Sequence, residues 1–264
     1  MTRPVSIHKL HEMSQNGEKI SVITAYDATF ARLASEAAID IILVGDSLGM
    51  VLQGHSSTLP VNVADMAYHT AAVAKGATTP FIISDMPFMS YHSEEQAMNN
   101  AALLMQAGAH CVKLEGGSWL CPTIEKLVQR GVPVCAHLGL TPQSVNQLGG
   151  FKVQGRLPAE AEAILTDARA VEAAGACMLV LECIPSALAK LITDSITIPT
   201  IGIGAGIDTN GQVLVMHDLL GTNPNPARFV KNFMQESADI LGAFQAYQQA
   251  VKSKNFPTSE HEFA

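Results

Sequence analysis

The sequence predicts a (β/α)8 TIM barrel, an α/β fold, preceded by an N-terminal helix. Short apolar runs alternate with helical patterns along nearly all of the 264 residues, and eight of these runs have the length of buried parallel strands. No Ser/Pro-rich linker interrupts the alternation, and single barrels commonly have this chain length. We therefore expect one domain over residues 1–264. An open doubly wound sheet is the alternative architecture.

Each predicted element rests on a local pattern. The strands are short runs rich in Ile, Val and Leu, and Pro87 prevents the third from continuing. Asp27 and Ser93 are typical N-caps, whereas glycines such as Gly108 end the helices. In chain order, the predicted strands are residues 20–26, 40–44, 81–84, 111–114, 133–136, 177–181, 199–203 and 212–216. The predicted helices are residues 6–16, 28–38, 63–75, 93–107, 119–129, 159–174, 186–194 and 227–251.

Composition and charge exclude several classes of function. The net charge is −8 and no Lys/Arg cluster is present, which argues against a nucleic-acid or anionic-membrane partner. No apolar run reaches the roughly 18 residues that a membrane span requires. The N-terminal segment is polar and lacks the apolar core of an export signal, so we expect a cytoplasmic protein. The five cysteines are irregularly spaced and form no CxxC pair, as expected of buried thiols in a reducing compartment.

Acidic side chains recur where predicted strands end. Asp46, Asp85, Glu115 and Glu182 follow the second, third, fourth and sixth strands, and His137 follows the fifth. Each residue alone could be a turn or a helix cap. In a barrel, however, these strand ends share one rim, where four carboxylates would repel one another without a neutralising cation. Oxygen ligands favour Mg²⁺; we expect direct ligation by Asp46 and Asp85, with Glu115 acting through a water molecule.

Lys113 is the most informative charged residue in this pattern. It lies two residues before Glu115 on the same strand, so both side chains point to the same face. A lysine in an apolar strand needs an anionic partner. That partner could be Glu115, in a structural salt bridge, or an anionic substrate, and the two roles are compatible.

Lysine and Mg²⁺ together would suit a 2-oxo acid. They would hold its carboxylate and keto oxygens and stabilise the enolate formed when the neighbouring carbon loses a proton. Glu182 follows an apolar run two strands away. It is our candidate for the base that removes this proton.

Nine segments of the sequence carry a family resemblance that covers nearly the whole chain in order. They are TAYD (24–27), VGDSLGM (44–50), QGHSSTLPV (53–61), SDMPF (84–88), VKLEGG (112–117), HLGLTPQSVNQLGG (137–150), KVQGR (152–156), LECIP (181–185) and GIGAG (202–206). Together they closely resemble the ketopantoate hydroxymethyltransferase family. Ala136 stands where the family pattern has glycine, and this departure touches no predicted site residue.

The resemblance implies a specific reaction and site. Members of this family transfer a hydroxymethyl group from 5,10-methylenetetrahydrofolate to 3-methyl-2-oxobutanoate, giving 2-dehydropantoate in pantothenate (coenzyme A) biosynthesis. It also implies a cytoplasmic (β/α)8 barrel that forms homo-oligomers, as ring-like decamers. By this resemblance the Mg²⁺ ligands are Asp46, Asp85 and Glu115. The substrate contacts are Asp46, Ser47, Asp85 and Lys113, and the proton acceptor is Glu182.

Two other functions fit a rim of carboxylates. Barrel lyases and mutases of the isocitrate lyase and phosphoenolpyruvate mutase type also stabilise enolates with Mg²⁺, but their catalytic cysteine loop has no visible counterpart in this sequence. A non-catalytic barrel that only binds oxo acids would leave the base candidate without a task. Folate-dependent product formation distinguishes the transferase from the first alternative, and proton exchange distinguishes it from the second.

Overall fold

The protein is described by a computed structural model over residues 4–264, and these residues form the predicted closed barrel. Every strand is parallel to its neighbours, and the strands follow one another around the barrel in chain order. The strands are β1 Ile20–Thr24, β2 Ile41–Val44, β3 Phe81–Asp85, β4 Cys111–Glu115, β5 Val134–Gly139, β6 Met178–Glu182, β7 Thr200–Ile203 and β8 Gly211–Leu214. Pairing of β1 with β8 closes the sheet. The first three residues of the predicted domain lie outside the described part.

Helices follow the strands and cover the barrel. They are α1 Ile7–Gln15, α2 Ala28–Glu36, α3 Leu48–Val51, α4 Val63–Gly76, α5 Glu94–Gln106, α6 Cys121–Gln129, α7 Val145–Leu148, α8 Pro158–Ala173, α9 Ser186–Ser195, α10 Met216–Leu219 and α11 Ile240–Lys252. The predicted caps are confirmed, because Asp27 accepts hydrogen bonds from the first turn of α2 and Ser93 accepts one from Gln96 N in α5. None of the helices within residues 4–264 has the length and apolarity to cross a membrane.

Strand side chains alternate between two apolar clusters. On β4, Val112 and Leu114 belong to the cluster between the sheet and the helices, whereas Cys111 belongs to the cluster inside the barrel. Lys113 and Glu115 share the parity of Cys111 and therefore also face inward. Leu10 and Met13 of α1 join the interior cluster and are buried. The N-terminal helix thus packs across the barrel end opposite the strands' carboxyl ends.

Several predicted elements differ from the structure; for example, the eighth strand was predicted over residues 212–216 but ends at Leu214, and Met216 begins α10. The last helix was predicted over residues 227–251, but α11 begins at Ile240, because Asp239 caps it with a bond from Gly242 N to its Oδ1. A separate 3₁₀ turn, Phe233–Glu236, precedes it. No helix was predicted between β2 and residue 63, yet this segment contains α3, where Leu48 is buried. Strand β5 continues to Gly139, so His137 lies within the strand.

Candidate active site

The carboxyl ends of the strands surround one cavity, with a volume of about 160 Å³. Charged and polar side chains line it together with apolar ones, among them Met50, Phe151 and Phe229. All six predicted site residues line this cavity, and so does His137. The six come from four strand ends: Asp46, Ser47, Asp85, Lys113, Glu115 and Glu182.

Lys113 is the central cation of the site. Its Nζ lies 3.1 Å from Asp85 Oδ1 and 3.6 Å from Glu115 Oε1, and its residue is only 3% exposed. Burial lowers the pKa of this ammonium, but the charges of Asp85 and Glu115 raise it by more, so the net shift is upward. Lys113 is therefore charged. The predicted salt bridge to Glu115 exists, and Asp85 lies closer still.

The three carboxyl groups around Lys113 differ in how strongly their surroundings favour ionisation. Burial, Asp85 and Glu115 raise the pKa of Asp46 well above its ordinary value. Burial is also the main cause of the raised pKa of Asp85, despite the nearby lysine. Glu115 differs: burial opposes its ionisation, but Lys113 and His137 lower its pKa overall. Glu115 is thus the carboxylate whose ionised form its neighbours favour, whereas burial disfavours the ionised forms of Asp46 and Asp85.

His137 connects Glu115 with Glu182. Its Nδ1 lies 3.3 Å from Glu115 Oε1, and its Nε2 lies 3.3 Å from Glu182 Oε2. Burial and Lys113 lower the pKa of this imidazole, but the two nearby carboxylates raise it to about 9. From the sequence, His137 was predicted to lie at the rim, and no catalytic or binding role was assigned to it. Its contact with both a metal-ligand candidate and the base candidate depends on three adjacent strands, which spacing along the chain does not reveal.

Ser47 is held at the edge of the cavity by Tyr26. The Tyr26 hydroxyl lies 2.9 Å from Ser47 Oγ, and the ring of Tyr26 is buried. His69 on α4 contacts the Tyr26 carbonyl oxygen through its Nδ1 at 2.7 Å. The serine hydroxyl is therefore positioned by its neighbours, with the cavity on its other side.

The acidic residues fit a magnesium ion in charge and in donor type. All of them supply oxygen, and Asp85 Oδ1 is buried without an aligned hydrogen bond although Lys113 Nζ lies 3.1 Å away. Within residues 4–264, however, no three His, Cys, Asp or Glu side chains are grouped closely enough to hold a metal by themselves. Mg²⁺ usually takes one or two protein carboxylates and completes its shell with water and substrate oxygens. The arrangement suits that mode of binding.

We expect the Asp46→Asn variant to be more stable than the parent chain in the absence of metal. Because the pKa of Asp46 is raised in the folded state, ionisation of this carboxyl opposes folding. An increase in melting temperature of about 2–4 °C, equivalent to roughly 1 kcal/mol in a chain of this size, is a reasonable expectation. The gain should be complete above the folded-state pKa and disappear below the unfolded-state pKa. Thermal denaturation in chelator at several pH values measures it.

An exposed aspartate provides the control for this experiment. Asp208→Asn removes the same charge from the surface and should not reproduce the pH-dependent gain. A lower melting temperature for Asp46→Asn at high pH would contradict the electrostatic account of the site.

Comparisons with known proteins relate this chain to one enzyme family. A family model described as ketopantoate hydroxymethyltransferase matches residues 4–259. The 3-methyl-2-oxobutanoate hydroxymethyltransferase of Colwellia psychrerythraea is 60% identical over 260 residues, which cover 98% of both chains. The enzyme of that name from Stutzerimonas stutzeri is 57% identical over 262 residues, again covering 98% of both chains.

Solved structures of lower identity share the fold. A phosphonopyruvate hydrolase in complex with oxalate and Mg²⁺ matches with a TM-score of 0.63 and 13% identity, over 83% of each chain. The 2,3-dimethylmalate lyase, a member of the PEP mutase/isocitrate lyase superfamily, matches with a TM-score of 0.61 and 16% identity, over 96% of this chain and 99% of that chain. At these identities the likeness concerns architecture alone, and it agrees with the barrel.

Proposed function

The chain belongs to the ketopantoate hydroxymethyltransferase family, and from this premise we propose that it transfers a hydroxymethyl group from 5,10-methylenetetrahydrofolate to 3-methyl-2-oxobutanoate. The product is 2-dehydropantoate, with tetrahydrofolate released and water supplying the hydroxyl oxygen. The observation that carries the proposal is the placement of a charged lysine, three carboxylates and Glu182 around one small cavity.

The residues divide the reaction between them. We assign the base to Glu182, whose carboxylate lies on the cavity wall and is more exposed than the other acids of the cluster. It removes the proton from the branched carbon of the oxo acid. Lys113 supplies a fixed positive charge near the keto oxygen, where negative charge develops in the enolate. Ser47 binds the substrate carboxylate, and the nucleophilic carbon then attacks the one-carbon unit of the folate.

We assign the Mg²⁺ site to Asp46 and Asp85 directly and to Glu115 through a water molecule. Burial opposes the ionisation of the first two residues, and a bound cation would offset that cost, which supports this assignment. When bound there, the ion supplies a Lewis acid that polarises the keto group and neutralises part of the cluster. Asp46 and Asp85 also lie where they can contact the substrate as it approaches the ion.

Assembly and location are part of the same proposal. The family resemblance supports a homo-oligomer, as a ring-like decamer, of a single catalytic domain that spans residues 1–264 and works in the cytoplasm. Light scattering coupled to size-exclusion chromatography measures the assembly, and a mass close to that of one 28.0 kDa chain would contradict it.

A turnover assay tests the proposed reaction. With 3-methyl-2-oxobutanoate and 5,10-methylenetetrahydrofolate, we expect 2-dehydropantoate to form with Mg²⁺ and to fall to background when a chelator removes it. Product formation without the folate, or cleavage of a carbon–carbon bond in the oxo acid, would instead indicate a lyase or mutase. Oxo-acid binding without any exchange of the substrate proton would indicate a non-catalytic barrel.

A further inference from the structure

Gln143 contacts the acidic cluster, and its backbone N–H and both ends of its side-chain amide are hydrogen-bonded. Its backbone N–H donates to Glu115 Oε2 at 3.0 Å, and its side-chain Nε2 donates to Asp46 Oδ2 at 2.8 Å. The same Nε2 donates to the carbonyl oxygen of Met86 at 2.9 Å, and Oε1 accepts from the Tyr91 hydroxyl at 2.5 Å. The residue is 5% exposed. One glutamine therefore contacts groups from the ends of three successive strands.

These partners determine how the amide is oriented. The Met86 carbonyl oxygen can only accept a hydrogen bond, so the amide nitrogen has to face it and the adjacent Asp46 Oδ2. The Tyr91 hydroxyl then donates to the amide oxygen. Trp119 stacks on the ring of Tyr91, with ring centroids 6.4 Å apart and planes inclined by 18°. The orientation is thus fixed on both sides of the amide.

The bond from Gln143 distinguishes the two oxygens of Asp46. Oδ2 is occupied by the amide, whereas Oδ1 has no hydrogen-bond partner among the side chains of residues 4–264 and lies beside the cavity. A carboxylate held in this way presents one oxygen in a fixed direction. Partners that orient a metal-binding side chain in this manner contribute strongly to metal affinity.

We propose that Gln143 is a positioning residue for the cation-binding carboxylates: it orients Asp46 through its side chain and Glu115 through its backbone, and Tyr91 orients Gln143. The inference rests on the Mg²⁺ site of the proposed function. A glutamine serves here because the position needs two donors toward Asp46 and Met86 and one acceptor toward Tyr91. If Gln143 had a purely structural role, its hydrogen bonds would stabilise the fold without affecting the affinity for Mg²⁺.

The Gln143→Met variant tests the proposal. Methionine has a similar length but no donor, and the backbone bond to Glu115 remains. Titration calorimetry with MgCl₂ alone should show binding weakened by about 10- to 100-fold, the usual effect of losing a partner that orients a ligand. In the turnover assay, the Mg²⁺ concentration for half-maximal rate should rise by a similar factor, while kcat at saturating Mg²⁺ recovers to within a few-fold of the parent value. Tyr91→Phe should shift both quantities in the same direction by less.

Gln212→Met is the matched control. Gln212 is also buried, and its Nε2 donates two hydrogen bonds at 2.9 Å, to Gly206 O and Thr209 Oγ1, near the other end of the barrel. This variant should lose stability to urea without losing Mg²⁺ affinity. If Gln143→Met does not fold, the Tyr91→Phe titration decides the question.

The outcomes separate the inference from the proposed function. Parental Mg²⁺ affinity in Gln143→Met, or in Tyr91→Phe where that variant decides, would overturn the positioning role and leave the metal site in place. Absence of Mg²⁺ binding to the parent chain would overturn both. An equal loss of Mg²⁺ affinity in Gln212→Met would show that the effect comes from general destabilisation, which also contradicts the inference.

Discussion

Replacing Glu182 by glutamine is expected to abolish exchange of the substrate's branched-carbon proton with deuterated water. The amide has the shape of the carboxylate but cannot accept the proton, and a positioned general base contributes about 10²- to 10⁴-fold to such a step. NMR of 3-methyl-2-oxobutanoate in D₂O with Mg²⁺ follows the exchange without any folate. This separates deprotonation from transfer of the one-carbon unit.

Two controls accompany the Glu182 measurement. Mg²⁺ binding, measured by calorimetry, should survive in Glu182→Gln because this residue is not among the assigned ligands. Glu162→Gln, an exposed glutamate on α8, should exchange the proton at the parental rate. Unchanged exchange in Glu182→Gln would remove this residue from the role of base.

Replacing Lys113 by methionine should have the largest effect on stability of any single change in the site. The substitution leaves Asp85 and Glu115 buried without the ammonium that lies 3.1 Å and 3.6 Å from them. Removing one partner of a buried ion pair typically costs about 3–5 kcal/mol. Urea denaturation at pH 8 in the presence of chelator measures the loss, and proton exchange should fall with it because the enolate loses its fixed positive charge.

Magnesium allows the two roles of Lys113 to be distinguished. If the carboxylates bind the ion, added Mg²⁺ should restore part of the lost stability, because the ion supplies the missing positive charge and binds only the folded chain. Proton exchange should remain impaired even then, because the lysine is still missing beside the keto oxygen. If added Mg²⁺ fully restored proton exchange in Lys113→Met, Lys113 would have only the role of a structural salt bridge and none in stabilising the enolate. Lys190→Met, which breaks an exposed pair with Asp194 on α9, should change neither quantity appreciably.

The fold was largely predictable because each element leaves a local signal. Buried parallel strands are short apolar runs, and the N-caps Asp27 and Ser93 and the glycines after helices mark where helices begin and end. The last helix was mispredicted for a local reason as well. Its apolar pattern continues through residues 227–239, but the side chains of Asn232 and Asp239 accept bonds from backbone N–H groups and start new turns.

The residues of the candidate site could be predicted only where they end a strand or alternate with outward-facing residues along it, because both features place a side chain at the inner rim of the barrel. Asp85, Glu115 and Glu182 end their strands, and Lys113 faces inward because it lies two residues from Glu115. The roles of His137 and Gln143 could not be found in this way. Their contacts join segments up to 97 residues apart, and neither residue belongs to a spacing pattern that indicates which atoms it will meet.

The packing of α1 across the far end of the barrel determines the route that reactants take. Leu10 and Met13 fill that end of the barrel, so we expect ligands to reach the carboxylates from the cavity at the carboxyl ends of the strands. In the proposed reaction, the small oxo acid has to enter the cavity before the larger folate covers the opening, and the folate has to leave before the enlarged acid does. Under the proposed function, we therefore expect a compulsory order, in which the oxo acid binds first and the product acid leaves last.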